Sequence, residues 1–334
     1  DEAAQVNRDL AKQLNRDIDV ENKDLPPDYD VTGTAGYRWF LGDYWEFGAM
    51  AYGEYERKWR NLDRTNRLVT NPDTDFADTT RTVDAVNITG SINGGLRFTS
   101  DHEFNALYMY LRNTDDDTQL TESCRQGQFN DCADDNSPRQ GRIVRYRYEE
   151  RKLLVRQLNG SHTLGDETLD LLPDWLQWSE ALRDSSFTWF YSDSDASTDL
   201  PSEVTINGVE ELDPNDPSIV LNEGVQPSGS ALDYRYSDLH DELENYGGTV
   251  MVPVRWRSFD AELSAGYDHY RKGRSYKQTS YGLGSTRPTF DLIRSDTPAN
   301  VFSDENLDDP LYGLNLLLGI GGFGTESYAA AEKV

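Results

Sequence analysis

The chain has 334 residues, with 32 Lys and Arg against 60 Asp and Glu, and a formal net charge of −28 at pH 7. An acidic excess of this size leaves no basic surface to displace counterions from phosphates, so nucleic acid is excluded as a partner. The mean hydropathy is −0.75 and no uninterrupted run of about 18 apolar residues occurs, which excludes a transmembrane helix but not strands with one polar face.

Residues 1–29 are polar and charged. Val6, Leu10 and Leu14 fall at helical spacing, so a short amphipathic helix is expected within 3–14, stopped by Pro26-Pro27. From residue 30 onward the signal changes to period two. Val31, Gly33, Ala35, Tyr37, Trp39 and Leu41 alternate with polar or small residues. After a tight turn at Gly42-Asp43, Trp45, Phe47, Ala49, Ala51, Tyr55 and Trp59 share one face. The longest clean alternation, 86–98, puts Val86, Ile88, Ile92, Leu96 and Phe98 on one side and Asn87, Thr89, Ser91, Asn93 and Arg97 on the other. At about 13 residues it exceeds the usual strand of about 5–6 and is long enough to cross a bilayer at a tilt.

Short turns at 42–43, 100–101, 165–166 and 257–258 alternate with long polar stretches at about 61–82, 113–141, 192–229 and 280–326. In an up-and-down sheet that alternation gathers tight turns at one end and long loops at the other, as in outer-membrane barrels. Trp39 and Trp45, Phe98 and Phe104, and Trp256 and Phe259 flank three of the tight turns, as an aromatic belt at a membrane interface would.

Cys124 and Cys132, the only two cysteines, lie eight positions apart in a polar stretch. The spacing favours a local disulfide, and an oxidising compartment, over two free thiols. His102, His162, His240 and His269 are scattered, so no zinc set is expected. The Asp clusters (115–117, 134–135, 193 and 195, 213 and 216) lack EF-hand spacing and read as solvated charge. Gly319, Gly321 and Gly324 spell G-x-G-x-x-G without the helix and later acid that a dinucleotide site needs. The acceptor patterns at Asn87 and Asn159 fall inside expected strands and read as chance. Glu149 and Glu150 point to opposite faces of one strand and cannot converge on a substrate. A charge ladder of Glu149 with Arg151 is expected instead, and no catalytic residue, cofactor or metal.

The segment 143–191, with Tyr148 to Arg151, Gln157 to His162 and Asp174-Trp175, resembles barrel strands of TonB-dependent outer-membrane receptors, and 236–250 and the C-terminal stretch add to the likeness. The resemblance implies an all-β, antiparallel up-and-down transmembrane barrel, here about eight to nine strands of a larger barrel of about 22. Residues 30–334 would form the partial barrel, without the plug or TonB box of the family. It also implies a bacterial outer-membrane receptor for a ferric siderophore, cobalamin or glycan, imported with TonB-supplied energy. Its partners would be outer-membrane lipid, the TonB complex through the plug, and a small-molecule or oligosaccharide ligand. On this reading the faces carrying Val86, Ile88, Ile92 and Leu96 and Trp45, Phe47, Ala49 and Ala51 meet lipid. The alternatives are a porin without a plug and a soluble, secreted β-rich carbohydrate-binding protein.

Overall fold

Among the described residues eleven strands pair side by side in one antiparallel sheet, in the order β1-β2-β3-β4-β5-β6-β8-β9-β10, with β7 added to β6 and β11 added to β9. The strands are β1 (Tyr29–Leu41), β2 (Trp45–Arg67), β3 (Phe76–Phe98), β4 (His102–Cys124), β5 (Arg139–Thr163), β6 (Ser186–Asp213), β7 (Asp216–Val225), β8 (Ser230–Trp256), β9 (Phe259–Ser285), β10 (Leu314–Leu317) and β11 (Gly324–Lys333). Among the described residues four helices accompany them: α1 (Glu2–Lys12), α2 (Asp166–Leu171), α3 (Pro298–Val301) and α4 (Asp304–Asp308). The computed structural model describes residues 2–16, 20–21, 23–128, 130–134, 137–173, 175, 182–225, 230–256, 259–285, 298–317 and 324–333.

The sheet corrects the barrel expectation. Among the described residues β1 pairs only with β2, while β9 carries β10 and β11 one after the other along its far side. The first and last strands never meet, and the sheet is neither closed nor strongly curled. Alternation and turn lengths specify neighbouring hairpins, and closure is a separate condition that also fixes shear and tilt. Among the described residues no helix is long and apolar enough to cross a membrane.

The strands also run further than apolar alternation alone suggests. β2 continues through Arg67 and β3 starts at Phe76, so most of 61–82 is strand. The same holds for 113–124 in β4, for 192–213 in β6, and for β7. Cross-strand charge pairs replace apolar pairs there. Arg57 holds Asp84 through two hydrogen bonds of 3.0 and 2.6 Å. Arg81 chelates Asp117 at 3.0 and 2.9 Å, and Arg145 approaches the same carboxylate at 3.6 Å. Glu149 sits where β5 bulges against β6 and is buried between Arg147 and Arg151, while Glu150 pairs with Arg112 and Lys152. The ladder joins the two acids to different bases.

In the chain before β6, α2 occupies 166–171 and β6 begins only at Ser186; residues 174 and 176–181, part of the segment expected as strand, lie outside the described residues. So do Gly319 and Gly321 of the glycine motif and the 257–258 turn.

The apolar core lies at the end of the sheet away from the tight turns. Val144, Val204, Ile206, Val225, Leu232, Tyr234 and Leu283 meet Ala11 of α1, Val301 and Phe302, and Leu307 of α4. Helix α1 is tied in by Asn7, whose carboxamide both donates to the Leu316 carbonyl (2.9 Å) and accepts from the Leu316 N–H (2.8 Å). Lys12 pairs with Asp308, and Arg16 with Asp304. Among the described residues the turn end has no such apolar cluster, and many of its side chains, such as Trp39, Trp45, Phe47 and Phe104, are exposed.

Candidate functional site

Two rungs of residues cross β1 to β5 on one face near the turn end. One runs Gly36, Met50, Asn93, Leu107, Gln157, and the next Arg38, Gly48, Gly95, Asn105, Asn159. Each rung follows from register: once neighbouring strands pair, residues directly opposite share a face. Gly36, Gly48 and Gly95 leave the backbone bare between the longer side chains. The result is an open trough of about 560 Å³ with a glycine floor. Four carboxamides, Asn93, Asn105, Gln157 and Asn159, line it. Asn105 donates to Glu103 at 3.0 Å. The Gln157 and Asn159 carboxamides have no hydrogen-bond partner among the described residues, so each offers a carbonyl acceptor and two N–H donors.

At the turn-side rim Glu46 bridges Arg38, at 2.9 Å, and Arg97. One carboxylate thus faces two guanidinium groups, and Arg38, which lines the trough, gives its turn-side edge a cationic character, while the rest of the lining is polar or apolar without charge. Met50 and Leu107 add an apolar strip across its middle. Such a surface suits an elongated, neutral molecule rich in hydroxyls, because carboxamides both donate and accept.

The opposite face at the same end carries a run of rings. Trp39 stacks on Phe47 with centroids 5.2 Å apart, and Trp45 meets Phe98 at 4.4 Å. Phe104 contacts His162 at 4.7 Å and Trp189 at 6.4 Å. Phe259 is exposed, and its backbone pairs with that of Trp256, whose side chain lies outside the described residues. Trp45, Phe98 and Phe104, named from sequence, therefore belong to one ring cluster with the two histidines, while Trp39 joins Tyr37 and Phe47 in a second one on the same face. Val86, Ile88, Ile92 and Leu96 fall on the same face as Trp45 and Phe47 through the β2–β3 register.

Within the ring cluster a polar chain escaped the sequence reading. His102 opens β4 and His162 nearly closes β5, and register sets them directly opposite. The Trp189 indole N–H donates to His162 Nε2 at 2.9 Å. His162 Nδ1 lies 3.3 Å from His102 Nδ1, and His102 Nε2 lies 3.0 Å from Thr168 Oγ1 on α2. Thr168 donates to Asp101 through its hydroxyl (2.7 Å) and its backbone N–H (2.9 Å). Burial, and then the neighbouring His102, push the His162 pKa down. Burial also opposes ionisation of Asp101, but the Thr168 and Ser100 hydrogen bonds outweigh it and hold its carboxyl below the usual range. Scattered in sequence, the two histidines looked unrelated. The signal that joins them is position: one just after a tight turn and one just before the next, on successive antiparallel strands.

Two residues other than glycine adopt positive φ beside this network, Thr99 at 58° and Asp184 at 64°. Thr99 is buried and donates its N–H to the Tyr44 carbonyl at 2.7 Å. Backbone held in this region is strained and needs support from its surroundings.

Elsewhere Cys124 and Cys132 are joined by a disulfide, with Cα atoms 5.5 Å apart. Asp195, His240 and Glu242 bring ligand atoms within 4.8 Å of one another on an open surface.

No protein-family model, no curated protein and no solved structure matches the chain. Together with the open sheet, this overturns the likeness to TonB-dependent receptors. The siderophore-uptake function, the outer-membrane location, and lipid, plug and TonB as partners rested on that likeness and on a closed barrel, and they fall with it.

Proposed function

We propose that the chain is a non-enzymatic β-sheet protein that binds a neutral carbohydrate in the trough spanning β1 to β5. One observation carries this reading: four carboxamides from three adjacent strands converge over a glycine floor, two of them with no partner among the described residues. Hydroxyl groups of a sugar chain satisfy both the donors and the acceptors of such amides, and Met50 and Leu107 offer contact to its C–H faces. The rim carboxylate Glu46 is committed to two guanidinium groups, and Glu103 accepts from Asn105, so among the described residues the trough offers no free pair of carboxyl groups for a glycosidic bond. The Cys124–Cys132 disulfide supports residence in an oxidising compartment, where extracellular glycans are met.

The test is a screen of neutral oligosaccharides followed by calorimetry on the wild type and on the Gln157→Ala/Asn159→Ala double variant. Loss of two hydrogen bonds worth about 1 kcal/mol each weakens binding by roughly tenfold or more. Incubation with the bound glycan is expected to release no new reducing ends.

A further inference from the structure

The donor directions in the histidine chain follow from its two ends. An indole nitrogen can only donate, so His162 Nε2 must be the acceptor and carry no proton. A neutral His162 then holds its proton on Nδ1, facing His102 Nδ1, which must accept. His102 in turn holds its proton on Nε2 and donates to Thr168, whose hydroxyl proton goes to Asp101. Every hydrogen has one place, and both basic ring nitrogens of the pair are used as acceptors inside the chain.

We infer that His102 and His162 form a proton-controlled latch that holds the Trp189 indole against β5 while both rings are neutral and releases it when the pair takes up a proton. Protonation of His162 at Nε2 sets an N–H against the indole N–H. Protonation of His102 at Nδ1 makes that nitrogen a donor to His162 Nδ1, and the His162 proton then moves to Nε2. In either case an imidazole N–H faces the indole N–H and the link to Trp189 must break. The link from His102 Nε2 to Thr168 survives, because the hydroxyl already accepts from that nitrogen and passes its own proton to Asp101. The moving part is therefore the Trp189 side, and α2 stays docked.

The surroundings of the pair agree with this. On the β6 side His162 faces Phe187 and Trp189, and on the β3 side His102 stacks on Phe98, none of which carries charge. Among the described residues the charged groups at this end include Asp101 in the β3–β4 turn, Asp166 and Glu167 on α2, and Asp184 ahead of β6, which Arg255 pairs. Asp166 is paired with Arg183, and Glu167 accepts from the Ser100 N–H. Asp101 is the acid the network reaches, and it lies at the far end from Trp189. Glycines seat both ends of the chain. A Cβ on Gly160 would fall 2.6 Å from Cε2 of the Trp189 indole, and one on Gly165 would fall 2.7 Å from the Asp101 carboxyl carbon.

The experiment is a nitrogen-15 NMR titration of the full chain from pH 8 to pH 5, with the Trp189 indole resonance assigned by its loss in Trp189→Phe. At pH 8 the expected tautomers are Nδ1–H for His162 and Nε2–H for His102. The Trp189 indole proton is expected to lose its hydrogen-bonded shift with the same midpoint as the histidine pair, and to show no such transition in His162→Phe. An Nε2–H tautomer for His162 at pH 8, or an indole resonance that stays fixed while the pair titrates, overturns the inference. The tautomer measurement uses the wild type alone, so it stands even where His162→Phe does not fold, and neither readout depends on carbohydrate binding.

Discussion

Trp189 on β6 lies directly across from Gly160 on β5, and its indole occupies the space that a side chain at Gly160 would fill. The glycine lets the indole reach past its own rung to His162, two residues along β5. Gly160→Ala is expected to push the indole away and break the bond to His162. Overpacking of this kind costs about 1–3 kcal/mol. A denaturant midpoint lowered accordingly, with loss of the hydrogen-bonded indole signal, is the expected result, whereas Gly53→Ala, where a Cβ meets nothing within 4 Å, is expected to leave that signal in place.

His162 and His240 are expected to titrate on opposite sides of the usual value of about 6.5. Burial and His102 lower the pKa of His162. The unfolded chain then binds more protons than the folded one, so the stability from neutral His162 is present above about pH 6.5 and is lost as pH falls through the folded value. Hydrogen bonding to Glu242 raises the pKa of His240, against partial burial, and Asp195 adds to the rise. Its contribution is present below about pH 6.5 and is lost as pH rises through the folded value. Separate NMR titration curves of the two rings check the order.

Asp117 is 2% exposed and holds Arg81 and Arg145 from the strands on either side. Asp117→Asn removes the charge that both guanidinium groups face, and about 1–3 kcal/mol of stability should go with it. Asp193 pairs with Arg156 on an open surface, so Asp193→Asn should change stability by less than about 1 kcal/mol. Urea denaturation of the two variants measures the contrast.

The Cys124–Cys132 bond closes a short loop, with a sequence separation of 8. On a chain-entropy basis a loop of this size contributes about 2.5 kcal/mol. The double variant Cys124→Ser/Cys132→Ser should show a lowered denaturation midpoint, and the wild type should show the same decrease in reductant.

The hairpins were legible because apolar alternation and tight turns are local signals. Trp45, Phe47 and Ala49 against Phe98, Leu96 and Gly94 is the pairing that those signals imply. The outer halves of the strands were not legible, since Arg81 and Asp117 look like loop residues until register sets them in contact beside Arg145 of the next strand. Closure was misjudged because each strand reports only its immediate neighbours, and the relation between β1 and β9 is written in no single segment. The trough was half visible: Asn93 stood out as part of a polar face, but Asn105, Gln157 and Asn159 join it only through pairing across three strands.

Calorimetric titration of the wild type and of Gln157→Ala/Asn159→Ala with neutral oligosaccharides tests the trough most directly. Saturable binding to at least one glycan, weakened roughly tenfold or more in the double variant, is the expected result. Failure of every neutral glycan to bind, or equal affinity in the double variant, would contradict a carbohydrate site in the trough.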